Sequence, residues 1–428
     1  MTLLKWAFLL VLLAATTALR AQPDNSLANM LRVPLYFSGI NPEHPAGIFS
    51  LDFPFYFPVD ENRRDRLSVS YNMANNWHPQ AWFYYPQNLT PEQQQLNEVL
   101  YMTWRPTYFK AIGVESKIKS FQSDGVLQHF RISWIRQWNP KNSFIINMNA
   151  HLLSGGSSPL HYPVSDRFIE WFHSNFAVDD NYGRRLFPFN RAFIQFIDED
   201  GRTFRRDKGD VFTTVVDLHY YRRLLNHTTS YSNVYLQAGG HLSVPLNTFH
   251  PYLIPALSAG LRVDRLVSNR SSLTLAADAA LSRQRFLKLG SGVNAIDKDW
   301  RSSIKLYFGA NVNLGNNRVL QLGLLNNWQG ALMQGSNNGW GQAGYPKIGM
   351  AFLQEGDTWE GEPVSQEFWL ARITPAALYY FSYKAYFVVG LHRNNHHFNF
   401  TIGEDFFFIN NAPDLQIGFE YIVPLSKN

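Results

Sequence analysis

Apolar and polar residues alternate with a period of two along most of the chain. Within 234–246, Leu236 and Leu242 fall on one face, and Gln237 and His241 fall on the other. A period of two is the pattern of a β-strand with one apolar face. The same alternation recurs in Leu67–Met73, Leu253–Val263, Leu273–Leu281, Ile304–Leu314, Val319–Leu325 and Leu415–Leu425.

The length of these segments predicts the fold class. Strands of about nine to eleven residues cross a hydrocarbon layer at a tilt, whereas strands of soluble sandwiches are usually nearer five or six. The second face carries mostly Gly, Ser, Asn, Thr and Gln, while a soluble sandwich would show more Lys and Glu to water. We therefore predict an all-β protein, an antiparallel transmembrane β-barrel of about 12–14 strands.

One stretch, Gly155–Asn190, does not follow the strand pattern. Within it, Ser165–Phe176 begins with a capping-type serine, and Phe168, Phe172 and Phe176 follow at four-residue spacing, which predicts a short amphipathic helix. The helix lies in a long insertion, 153–210. Predicted connections are short on one side of the barrel and long on the other, so we expect this helix on an extracellular loop.

The N-terminal part of the chain predicts export. Residues 1–21 have a charged start, an apolar run of about ten residues too short to span a bilayer, and small residues near a cleavage site, as in a signal peptide. Residues 22–60 are rich in Pro and aromatic residues and are predicted to be an irregular lead-in or a plug. The barrel is expected to occupy 61–428.

Composition narrows the class of protein further. The chain has no Cys, 15% aromatic residues and 17% charged residues. The formal net charge is only +5, and Lys5 and Arg20 of the predicted signal peptide contribute to it, which argues against a nucleic-acid partner. We expect a protein of the outer membrane of a Gram-negative bacterium, with lipid or lipopolysaccharide as a partner and no cofactor or metal.

Four pieces of the sequence, read in order, resemble a known family. They are Ser154-Gly155-Gly156, Asp166-x-Phe168-Ile169-Glu170-x-Phe172-His173-x-x-Phe176, Gly183-Arg184 with Pro188-x-Asn190, and Ala412-Pro413-Asp414-Leu415. Together they look like the DUF3187 proteins, exported β-rich bacterial proteins. The resemblance covers the chain loosely from about residue 40 onward. It implies an envelope location and a β-rich fold, and it implies no activity.

The insertion holds the first set of candidate site residues. The phenylalanine stripe is expected to pack on the mouth of the barrel and to gate it. Glu170 and His173 lie three apart on the helix, where they form either half of a metal site or, as we favour, a helix-stabilising pair. Arg184 and Arg185 either meet lipopolysaccharide phosphates or solvate the loop.

The second set is expected to line the barrel interior, which we call the lumen. Alternation directs these residues inward: His241, Arg262, Asp278, Lys305, Tyr307 and Glu420. Buried charges of this kind must pair or line water, because an isolated charge in a dry interior is very costly. The function predicted from these features is passive transport or binding of a small solute through a polar lumen.

Two alternatives remain open at the sequence level. One is an outer-membrane lipid-modifying hydrolase, and the other is a structural or adhesin-like barrel without transport. A hydrolase needs a serine or aspartate close to a histidine such as His173, His227 or His241. The sequence has no Gly-x-Ser-x-Gly elbow, so we assign no catalytic residue and expect no enzymatic activity.

Overall fold

The structure of the chain is a computed structural model. It describes residues 33–38, 53–57, 65–75, 80–83, 118–124, 126–154, 193–197, 202–229, 231–246, 252–288, 292, 300–331, 347–353, 358–359, 362–363, 368–374, 381–393, 396–404 and 416–425. All regular elements among these residues are β-strands. No helix in these ranges is long and apolar enough to cross a membrane.

Twelve strands pair in sequence around a closed antiparallel barrel. The pairing runs β11-β10-β7-β6-β3-β23-β22-β21-β16-β15-β13-β12, and β12 pairs back to β11. Closure removes every free sheet edge, and this confirms the predicted all-β barrel. The barrel strands are β3 (Asp65–Asn75), β6 (Val126–Asn139), β7 (Asn142–Ser154), β10 (Val211–Thr228), β11 (Ser232–Pro245), β12 (Tyr252–Ser268), β13 (Ser271–Arg283), β15 (Trp300–Gly315), β16 (Arg318–Ala331), β21 (Phe381–Arg393), β22 (His396–Glu404) and β23 (Gln416–Pro424).

The remaining strands form small separate sheets or extend the barrel. A four-stranded sheet has the order β4-β5-β8-β9, and the pairs β1–β2, β17–β20 and β18–β19 stand alone, while β14 pairs with β12. Their bounds are β1 (Leu35–Phe37), β2 (Phe55–Phe57), β4 (Gln80–Phe83), β5 (Ile118–Asp124), β8 (Phe193–Ile197), β9 (Thr203–Asp207), β14 (Arg285–Phe286), β17 (Lys347–Leu353), β18 (Thr358–Trp359), β19 (Glu362–Pro363) and β20 (Phe368–Thr374).

The connections differ sharply between the two ends of the barrel. At one end, which we call the short-turn end, neighbouring strands are joined by two or three residues. In the β15–β16 turn, Asn316 and Asn317 have φ of 51° and 55°, as a tight hairpin turn requires. At the other end, the loop end, the connections span 6 to 56 residues and contain β4, β5, β8, β9 and β17–β20.

The distribution of polarity across the wall is the reverse of that in a water-soluble protein. Large apolar side chains such as Ile132, Met148 and Leu257 are about half exposed or more on the outer face. Ser133, Asn147 and Asp217 are buried on the inner face. Period-two alternation of this kind, apolar outward and polar inward, is the pattern of a barrel whose outer face meets hydrocarbon.

Several predicted boundaries differ from the structure. The strands contain 9 to 18 residues rather than nine to eleven, because strands such as β10 continue beyond the length needed to cross a bilayer. The insertion 153–210 contains two strands, β8 and β9. The predicted helix Ser165–Phe176 lies outside the described residues.

Candidate functional site: the lumen and its hairpin

The lumen contains a hairpin from the N-terminal part of the chain. β1 and β2 pair antiparallel, with Tyr36 opposite Tyr56 and Phe37 opposite Phe55. All six hairpin residues are buried, with side-chain exposure of 4% or less. Alternating aromatic residues favour strand pairing, since rings on one face pack against each other across the pair.

One face of the hairpin packs on one side of the lumen. Phe37 and Phe55 lie with their ring centroids 5.4 and 6.2 Å from that of Tyr307 on β15, and Phe57 lies 5.8 Å from Tyr235 on β11. Ala276, Leu325, Tyr386 and Val388 complete this apolar cluster. The wall strands that contribute to it are β11, β13, β15, β16 and β21.

The opposite face of the hairpin packs on the other side. Tyr36 and Tyr56 form a cluster with Ile135, Ile145, Tyr221 and Ile422. These wall residues belong to β6, β7, β10 and β23. The hairpin therefore lies between two opposing arcs of the barrel and fills the space between them.

Two glycines make room for the hairpin beside Tyr307. A Cβ built on Gly309 would lie 2.1 Å from the Tyr307 hydroxyl oxygen, and one built on Gly323 would lie 2.4 Å from the ring. The tyrosine ring thus lies flat across both glycines instead of projecting into the lumen. This orientation leaves space for Phe37 and Phe55.

Side chains of the wall donate hydrogen bonds to the hairpin backbone. Arg262 Nη2 donates to the Val33 carbonyl at 2.7 Å, Gln237 Nε2 to the Tyr56 carbonyl at 2.7 Å, and Asn399 Nδ2 to the Tyr36 carbonyl at 2.9 Å. The Tyr221 hydroxyl donates to the Pro54 carbonyl at 3.0 Å. A two-stranded hairpin leaves carbonyls unpaired at its edges, and these donors satisfy them.

Glu420 and Lys305 hold the two strands of the hairpin at the same end, just after β1 and just before β2. The Lys305 ammonium donates to the Phe53 carbonyl and lies 4.4 Å from the centroid of the Phe53 ring. The Glu420 carboxylate accepts hydrogen bonds from Ser38 and Ser68, both at 2.8 Å, and from Asn399 at 3.3 Å. Charged partners make these the strongest class of hydrogen bond in the site.

Two of the interior charges, Arg262 and Asp264, form a hydrogen-bonded ion pair. The Arg262 guanidinium lies 2.9 Å from an Asp264 carboxylate oxygen, and both side chains are fully buried. Thr274 donates to the same carboxylate at 2.6 Å. Asp278 lies directly opposite Lys305 in the β13–β15 register. Compensation of this kind is what allows charged residues to remain in a closed interior.

A chain of hydrogen-bonded polar side chains crosses four neighbouring strands. His241 Nε2 lies 2.9 Å from Ser258 Oγ, His241 Nδ1 lies 3.0 Å from His219 Nδ1, and His219 Nε2 lies 2.9 Å from Asn147 Nδ2. The order Ser258, His241, His219, Asn147 follows strands β12, β11, β10 and β7. The ring of Phe53 stacks on His241 at 5.0 Å, so the hairpin covers this chain.

All six residues predicted to line the lumen lie buried on its inner face: His241, Arg262, Asp278, Lys305, Tyr307 and Glu420. Five of them, all but Asp278, contact residues 33–38 or 53–57 directly. The other predicted set, Phe168, Glu170, Phe172, His173, Phe176, Arg184 and Arg185, lies outside the described residues. No group of three or more His, Asp or Glu within the described ranges is arranged to hold a metal ion.

Sequence reasoning missed the partners of these residues. The sequence left 22–60 open between an irregular lead-in and a plug, and it did not predict that 35–37 and 55–57 pair as strands. His219 and Ser258 were not singled out, because their proximity to His241 depends on the register of three strands.

Comparison with known proteins assigns no family to the chain. No family model matches the chain, and no curated protein matches it. Among solved structures, the CymD monoaromatic hydrocarbon channel is 10% identical over 96% of this chain and 100% of its own, with a TM-score of 0.29. The toluene transporter TodX of P. putida is 8% identical over 96% and 100%, with a TM-score of 0.29.

LpxR from Salmonella typhimurium is 6% identical over 83% of this chain and 99% of its own, with a TM-score of 0.31. TM-scores this low carry no inference about this chain. The strand pairing alone establishes the fold, and the resemblance to the DUF3187 proteins remains an expectation.

Proposed function

We propose that the chain is an outer-membrane β-barrel through which a small solute passes or in which it binds, and that the N-terminal hairpin controls access to the lumen. The observation that carries this proposal is the position of the hairpin between two opposing walls. An apolar outer face and a polar inner face support the membrane location.

The nature of the inner wall supports a movable hairpin rather than a permanently solid core. Much of the wall around it is polar or charged, including Arg262, Lys305 and Gln237. If the hairpin withdraws, water can replace its carbonyls as the partner of each wall donor. The same exchange would be costly in an apolar core, which has no groups to hold water.

A disulfide between hairpin and wall tests this proposal. Ser38 Oγ and Ser70 Oγ lie 3.0 Å apart, and the chain has no cysteine, so Ser38→Cys/Ser70→Cys introduces a single defined pair. We expect flux of a small neutral sugar into proteoliposomes to fall at least tenfold on oxidation and to recover with reductant. The single variants Ser38→Cys and Ser70→Cys are the controls.

Two results would overturn the proposal. Equal flux through the oxidised and reduced double variant would show that the hairpin is not the gate. Absence of flux through the wild type and through Phe55→Ala, which removes a ring that holds the hairpin, would exclude transport through the lumen.

The hydrogen bond between Ser258 and His241 favours a second candidate function, hydrolysis of an acyl ester. Such a reaction requires the Asn147 amide to turn its oxygen to His219 Nε2, so that His219 Nδ1 accepts from His241 Nδ1 and leaves His241 Nε2 free of a proton. Ser258 Oγ would then attack the acyl carbonyl carbon while its proton passes to His241 Nε2, and the leaving alkoxide would take that proton. Water would then release the acyl group. His219 would orient His241 through the 3.0 Å contact between their Nδ1 atoms.

A fluorophosphonate probe tests this candidate, because it labels only activated serines. Labelling of the wild type that is lost in Ser258→Ala and kept in Ser272→Ala, another buried inner-face serine, would support hydrolysis. If the probe labels neither the folded wild type nor a Phe55→Ala variant with a loosened hairpin, Ser258 is excluded as a nucleophile.

A further inference from the structure

The outer wall of the barrel contains an apolar groove that the lumen does not use. It has a volume of about 630 Å³ and crosses the strands from β7 to β15. Gly240 is one of its lining residues, and a Cβ there would meet nothing within 4 Å. The cross-strand neighbours of Gly240 are Tyr220 and Leu257, both on the outer face, so the missing side chain leaves a trough between larger residues.

The groove ends in a cationic and aromatic rim. Arg283 lies opposite Trp300 in the β13–β15 register, and its guanidinium lies 5.6 Å from the centroid of that ring. Both residues are exposed and belong to the loop end of the barrel. Tryptophan and arginine together suit the boundary between hydrocarbon and polar head groups.

Three exposed cations lie at this rim. They are Arg283, Arg285 and Lys288, and the described residues 281–288 include no acidic residue. A rim of this kind is complementary to phosphate and unsuited to a zwitterionic head group.

We propose that this groove binds one acyl chain of a phosphorylated glycolipid, the lipid A part of lipopolysaccharide, with Arg283 at a phosphate group. The inference rests on the proposed outer-membrane location. An apolar depression in that wall is filled by a hydrocarbon chain rather than by water, because burial of methylene groups is favourable. Since the rim lies at the loop end, the lipid belongs to the membrane leaflet on the side of the long connections.

Native mass spectrometry of the delipidated protein in detergent tests the site, with lipid A, phosphatidylglycerol and phosphatidylcholine as probes. We expect one lipid A to be retained by the wild type. Gly240→Leu adds a side chain at a position where a Cβ has open space, and by occupying the trough it should lower lipid A affinity at least fivefold. Arg283→Gln should lower it about fivefold, as expected for the loss of one interfacial cation.

Two variants serve as controls. Ala310→Leu enlarges an outer-face residue outside the groove, and Arg265→Gln removes an exposed cation at the short-turn end. Both should bind lipid A like the wild type.

Three outcomes would overturn the inference: unchanged binding to Gly240→Leu, equal binding of phosphatidylcholine and lipid A, or preference for phosphatidylglycerol over lipid A. The last would assign the rim to a phospholipid. The binding assay does not depend on solute flux. Failure of the lipid A proposal is therefore distinguishable from failure of the hairpin-locking experiment.

Discussion

Gly239 is the residue that allows two side chains of the inner wall to meet. Ser258 is its cross-strand partner on β12, and the His241 ring bends back over it to reach the serine. A Cβ at position 239 would lie 2.5 Å from Ser258 Oγ and 2.8 Å from His241 Nε2. Since both atoms belong to side chains, an added methyl group would break their hydrogen bond rather than displace the backbone.

This contact predicts opposite behaviour for two adjacent glycines. Gly239→Ala should destabilise the barrel by about 1–2 kcal/mol, because it separates a buried donor from its acceptor. Gly240→Ala faces open space and should change stability by less than about 0.5 kcal/mol or stabilise slightly. Urea unfolding of the protein in lipid vesicles, followed by tryptophan fluorescence, measures both. Equal midpoints for the two variants would contradict the role given to Gly239.

The hairpin is the element on which the proposed gating of the lumen depends. It is short, and an isolated two-stranded hairpin is marginal in water. Its stability therefore comes from the wall, through aromatic contacts on both faces and donors at its edges. Changes that weaken these contacts should release the hairpin while the twelve-strand barrel remains closed.

A cysteine reporter at Ser38 tests this separation of stabilities. Ser38 is buried, so Ser38→Cys should react slowly with a thiol reagent. Adding Phe55→Ala removes a buried ring worth about 3–5 kcal/mol and should speed labelling more than tenfold if labelling follows hairpin opening. Phe308→Ala, which removes a ring from the outer face of β15, is the matched control. Equal labelling rates in the two double variants would show that the hairpin opens only when the whole barrel unfolds.

Strand faces could be predicted from the sequence, whereas contacts between elements could not. Alternation is a local property, and it predicts an inward direction for Lys305 and Glu420, both of which are buried. The partners of these residues depend on long-range packing: Ser38 and Glu420 are separated by 382 positions in the chain. The aromatic run around Phe55 falls in 22–60, which the sequence predicts to be an irregular lead-in or a plug, and its length and period do not say which residues of the wall it contacts.

At the scale of the whole molecule, the two ends of the barrel differ in a way that predicts its orientation. β3 begins and β23 ends at the short-turn end, where Arg66 pairs with Pro424. The small sheets are confined to the loop end, apart from the hairpin β1–β2. In outer-membrane barrels the short turns face the periplasm and the long connections face the outside. The sequence already predicted this division, since connection lengths follow from the alternating segments.

Protease-cleavable tags test the orientation in intact cells. Lys208 and Gly209 form an exposed turn between β9 and β10 at the loop end, and Asn316 and Asn317 form a turn at the opposite end. Both sites are solvent-exposed turns, so each tag is matched by the other in local environment and tolerance to insertion. External protease should cut a tag at 208–209 and leave one at 316–317 intact until the outer membrane is permeabilised, when both should be cut. Cleavage at 316–317 alone in intact cells would mean that the barrel is inverted, and the lipid A groove would then face a leaflet that contains no lipopolysaccharide.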